Sequence, residues 1–76
     1  MYKSAKVLPQ STSGTIQAQA LTILTVAGSA GGCTFIGFSD GKTFGFATPA
    51  GSVINLDVAV RGAYTIGANT TVIARG

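Results

Sequence analysis

The cleanest alternation in the chain runs from Ser52 to Val60. Ile54, Leu56, Val58 and Val60 fall on one side of an extended backbone, and Val53, Asn55, Asp57 and Ala59 on the other. That is the period-two pattern of a strand with one buried face. A second long apolar stretch, Thr15 to Val26, places Ile16, Ala18 and Ala20 on one face against Gln17 and Gln19, and then loses parity. Leu21 and Ile23 take the face of the glutamines while Leu24 and Val26 keep the first. The break predicts a β-bulge near Ala20, or entry into a region buried on both sides. A helix competes here, but three threonines and no charged residue argue against an exposed one. Shorter strand candidates are Ala5 to Leu8, stopped by Pro9, Ala63 to Ile66 after an Arg61-Gly62 turn, and a closing Thr70 to Ala74 after a Gly67-Ala68-Asn69 turn.

Between them lies Cys33 to Ala47, which holds all four phenylalanines and reads as a β-hairpin closed at Asp40-Gly41. Asp-Gly between β-prone runs is a strong hairpin signal, since a type I′ turn needs positive φ at both central residues. A two-residue turn pairs Ser39 with Lys42, Gly37 with Phe44 and Phe35 with Phe46. Cys33, Phe35, Phe44 and Phe46 then share one face, Ile36 and Phe38 the other. The resulting expectation is a single all-β domain, a small sandwich or barrel of about seven short antiparallel strands around this central hairpin. Residues 1–14 are expected to form an N-terminal arm with one short strand, and residues 15–76 the β domain.

Composition narrows the functions. Seventy-six residues with 46% hydrophobic positions and 9% charged ones exclude a disordered chain. A domain of this size buries only about 60% of its unfolded surface and commonly needs a disulfide, a metal or an oligomer. One cysteine and no histidine leave the first two without material, so oligomerisation or docking on a partner is expected. Sparse charge points the same way. The five basic residues against two aspartates, net +3, are scattered singly and form no nucleic-acid footprint. No stretch reads as a leader, and the Ile16–Val26 stretch is too short and too polar for a membrane span, for which about 20 apolar residues are needed. The expectation is a protein made in the cytoplasm, neither secreted nor anchored.

No reaction is encoded. Without histidine the usual acid–base carrier is missing; Asp40 belongs to the turn, Asp57 to the polar face of a strand, and no serine or threonine has a base. Cys33, beside Phe35, reads as a small buried hydrophobe. The glycine-rich Ala27–Gly32 connector lacks the lysine and helix of a phosphate loop. No catalytic residue, metal site or cofactor is expected.

Two resemblances add to this reading. Lys42-Thr43-Phe44-Gly45-Phe46-Ala47-Thr48-Pro49 resembles the K-G-F-G-F-I-T-P motif of cold-shock domains, with Phe38 also matching. The resemblance implies an OB-type barrel binding single-stranded nucleic acid, Phe44 and Phe46 as stacking platforms and Lys42 as a phosphate contact. Gly37 stands where that family has tryptophan, and Val53–Val58 replaces its second aromatic motif. Over residues 15–75 the Thr-, Ala- and Gly-rich, nearly charge-free texture, with the Asp-Gly hairpin, the Ala-Gly-Ser-Val strand start and the closing apolar strand, is similar to small β-rich virion proteins of tailed bacteriophages. That resemblance implies a capsid decoration (cement) protein that cross-links subunits of the major capsid protein on the virion surface, commonly as a trimer, or a small neck, tail or fibre component. The partner-contact candidates are Ile36 and Phe38 on the second hairpin face, with Val7 and Leu8 on the N-terminal strand.

Overall fold

The structure, a computed structural model, describes residues 4–37 and 42–76, and of Phe46 only the backbone. Among the described residues there are eight strands and no helix: β1 (Ala5–Leu8), β2 (Ser13–Ala18), β3 (Ala20–Thr25), β4 (Gly31–Gly37), β5 (Thr43–Thr48), β6 (Val53–Leu56), β7 (Val60–Ile66) and β8 (Thr70–Arg75). They form two four-stranded sheets, ordered β1-β8-β3-β6 and β2-β7-β4-β5. All ladders are antiparallel.

The pairing has a simple logic. β1 pairs β8, β2 pairs β7, β3 pairs β6 and β4 pairs β5, so the first half of the chain runs beside the second half in reverse. Winding that long double strand around itself brings β3 against β8 and β4 against β7, which closes each sheet. This is the winding of a jelly roll, one of the ways an all-β chain limits open edges.

The winding explains the broken parity. Thr15 to Val26 is not one strand but β2 and β3, which lie in different sheets. Exposed Gln19 makes the crossing, its N–H donating to the Arg75 carbonyl at 2.7 Å. Ile16 and Ala18 face the interior from one sheet, Leu21, Ile23 and Thr25 from the other. Ser52 to Val60 divides in the same way, β6 ending at Leu56 and β7 beginning at Val60 in the opposite sheet. Here the inward set survives the crossing: Ile54, Leu56 and Val58 all pack on the core and Val60 is buried. The expected Arg61-Gly62 turn instead lies within β7, near its start, where a register irregularity against β4 falls between Phe35 and Gly37. Gly62 has φ +121° there, a conformation that costs glycine little. Residues 4–14 are tied into the sandwich, β1 pairing along its length with β8 and Leu8 fully buried.

The Asp40-Gly41 turn lies outside the described residues. The register of its strands is nonetheless set, and it differs from the two-residue-turn expectation: Phe35 lies opposite Phe44, Cys33 opposite Phe46 and Ile36 opposite Thr43. The offset is an even number of residues, so Cys33, Phe35 and Phe44 keep the one face expected of them. Gly37 sits across from Val60 and is not opposite Phe44.

Between the sheets, Leu8, Leu21, Ile23, Phe35, Val60, Ile66 and Val72 are fully buried. The Phe35 ring sits 6.1 Å from that of Phe44 and 6.5 Å from that of Tyr64, spacings typical of favourable aromatic pairs. Polar groups in the interior are paired. The Thr25 hydroxyl donates to Thr48 Oγ1 at 2.8 Å, and Thr70 Oγ1 accepts the Gly32 N–H at 2.9 Å. Accessible surface totals 4388 Å², close to the roughly 4300 Å² of an ordinary monomer of this mass.

Candidate functional site

The first sheet, β1-β8-β3-β6, turns Leu8, Leu21, Ile23, Val72 and Ala74 inward. Its outward positions are set by alternation and register. Val7, Ile73, Thr22 and Asn55 form one row across the four strands, and Thr71, Leu24 and Val53 the next. Val7 and Ile73 are direct neighbours, as are Leu24 and Val53; Ile73 and Leu24 are diagonal neighbours, within reach of each other's side chains. Four aliphatic residues, one from each strand, thus make a continuous diagonal stripe. Val7 is 59% exposed and Val53 63% exposed at its ends, with Ile73 and Leu24 half-buried between them. Outward aliphatics on adjacent strands differ in kind from a scattered surface leucine.

Beside the stripe runs a polar line. Arg75 Nη1 donates to Thr22 Oγ1, and the Thr22 hydroxyl donates to Asn55 Oδ1 at 2.8 Å. A threonine that accepts and donates in this way holds the arginine and the asparagine against the sheet. The face therefore combines an apolar centre with an ordered polar margin.

The second sheet presents a different outer face. Ser13, Thr65, Thr34 and Gly45 form a row across β2, β7, β4 and β5, and Thr15, Ala63 and Ala47 are also exposed. An open depression of about 620 Å³ lies over this face, lined by Gly32, Thr34, Gly45, Ala47, Thr65 and Asn69 among others. Cys33 is the one titratable residue of its lining. It is buried, and desolvation pushes its thiol up to about 11, so it carries no thiolate near neutral pH. Among the described residues no group of three or more metal-ligating side chains comes together.

The residues singled out by sequence fall in different parts of the fold. Val7 lies in the stripe, whereas Leu8, its neighbour, points into the core and is fully buried. Ile36 is half-buried, with Cδ1 3.6 Å from where a side chain on Gly62 would begin. Phe38 lies outside the described residues. Of the residues matched to a cold-shock motif, Lys42 is exposed immediately before β5. Phe44 is half-buried and packs on the core beside Phe35. Phe46 enters only through its backbone, opposite Cys33. Two four-stranded sheets also differ from the barrel that motif implies. Leu24, Ile73 and Val53 were not singled out by sequence: each is simply an aliphatic residue on the off-core parity of its strand. That parity was a usable signal, but their adjacency depends on the strand order.

Comparison with protein-family models, with curated proteins and with solved structures finds no match to this chain.

Proposed function

We propose that the chain is a non-enzymatic structural subunit that attaches to a larger protein shell, as a capsid decoration protein does, through the outer face of the β1-β8-β3-β6 sheet. The observation that carries this reading is the stripe Val7–Ile73–Leu24–Val53 bordered by Arg75, Thr22 and Asn55. A rigid sheet is suited to it, because no segment has to be ordered on binding and the contact loses little conformational entropy. The scarcity of charge and the phage-like texture of the sequence support the same reading. The partner is a flat, largely apolar patch on the major capsid protein, and the effect is to bridge neighbouring shell subunits. A specific contact of this kind needs about 1000 Å² of buried area or more.

The test is co-sedimentation of the purified chain with assembled shells, comparing Val7→Lys and Val53→Lys with Thr15→Lys on the other sheet. Each stripe variant buries an uncompensated charge and is expected to weaken binding by at least about tenfold, or 1.4 kcal/mol. Thr15→Lys should bind normally. If all three variants stay folded and bind like the parent, or the parent shows no affinity for shells, the reading fails.

A further inference from the structure

A second surface leads elsewhere. The four edge strands are unequal. The edges of the first sheet, β1 and β6, are four residues long, one carrying Lys6 and the other running into Asp57. Short, charge-marked edges of this sort resist pairing with other chains. The edges of the second sheet, β2 and β5, are six residues long with no charge and no proline inside them, Lys42 and Pro49 standing just outside the two ends of β5. The end of β2 has Gly76 beside it, next to Ala18 and Gln19. Among the described residues β5 has one strand neighbour, β4. An edge strand bonded on one side presents a row of backbone donors and acceptors on the other.

The β5 sequence adds a direction to this edge. Thr43-Phe44-Gly45-Phe46-Ala47 reads nearly the same both ways about Gly45. A two-fold interface requires such self-complementarity, since residue i meets j and j meets i. We propose that β5 pairs antiparallel with β5 of a second copy, with Gly45 on the two-fold axis, joining two β2-β7-β4-β5 sheets into one eight-stranded sheet. In that register each Phe44 lies opposite a Phe46 and each Thr43 opposite an Ala47. Lys42 falls opposite Thr48, which keeps the two ammonium groups on the order of 20 Å apart. One strand pair with its flanking side chains is at the small end of stable interfaces, and the dimer forms at micromolar or higher concentration. This pairing does not depend on the shell-binding reading, because it uses the other sheet.

Sedimentation equilibrium over a wide concentration range tests the stoichiometry, and cysteine cross-linking tests the register. The probes are Thr43→Cys and Ala47→Cys, each in a Cys33→Ala background; both positions are exposed. Gly45 is avoided, since a side chain there would press on the Cys33 carbonyl at 3.0 Å. Directly opposed residues have Cα atoms about 4.5–5.5 Å apart, within disulfide reach. The expected result is a monomer–dimer equilibrium and a disulfide-linked dimer only when the two variants are mixed, with that product lost when either is oxidised alone. Thr15→Cys on β2 should give none. A chain that stays monomeric at millimolar concentration, a trimer, or single variants that cross-link as well as the mixture would overturn the proposal.

Discussion

Replacing Phe35 by leucine tests the core at its most crowded point. Phe35 is fully buried on an inner strand of its sheet, its ring 6.1 Å from Phe44 and 6.5 Å from Tyr64. Leucine fills the site with three fewer carbons, which at about 0.8 kcal/mol per buried methylene removes roughly 2 kcal/mol. Losing two aromatic pairs adds about 1 kcal/mol or more, so the total is about 3 kcal/mol. A domain of this length has a stability of only about 4–11 kcal/mol. At about 4–8 °C per kcal/mol the melting temperature should fall by roughly 12–24 °C. Phe44→Leu is the internal comparison, because Phe44 is half-buried; its cost should be nearer 1–1.5 kcal/mol. Thermal melts followed by circular dichroism measure both, and the double variant gives their coupling, expected at about 0.5–1 kcal/mol. Should Phe44→Leu cost as much as Phe35→Leu, or the coupling vanish, the packing argument is wrong.

Two further perturbations probe separate features. Burial raises the Cys33 thiol from 9.0 to about 11. The folded state therefore resists an ionisation that the unfolded chain undergoes, so its stability is intact below pH 9 and declines between pH 9 and about 11, by at most about 2–3 kcal/mol. Urea titrations across that range should show the decline in the parent and less of it in Cys33→Ala. Gly31→Ala places a Cβ on top of Thr70 Oγ1. Overpacking of that kind should cost about 1–3 kcal/mol, and combining it with Thr70→Ala should cost less than the sum of the two single changes.

Local sequence chemistry fixed much of the strand content. Pro9 ends β1 after Leu8, and Gly67-Ala68-Asn69 turns the chain into β8, with Asn69 at φ 66°. The inward set Ile54, Leu56, Val58 and Val60 was legible from alternation alone, because a side chain's face depends only on the parity of its neighbours. Cys33 beside Phe35 was legible as core for the same reason. These are properties of a few consecutive residues, and any arrangement of the strands would keep them.

Tertiary structure decided what no local pattern carries. A residue that crosses between sheets looks, in sequence, like the middle of a strand, so Gln19 and residues 57–59 have the local pattern of the interior of long strands. The double-wound pairing, first strand to last, depends on contacts between residues far apart in the chain, and it set the register of Phe35 against Phe44. The same pairing assembled the stripe. Val7, Leu24, Val53 and Ile73 stand on four strands scattered along the chain, each an unremarked outward aliphatic, and become one surface only because the order is β1-β8-β3-β6. The sequence determined which side chains face outward; the strand order determined which of them are neighbours, since adjacency across a sheet is a property of pairing and not of spacing.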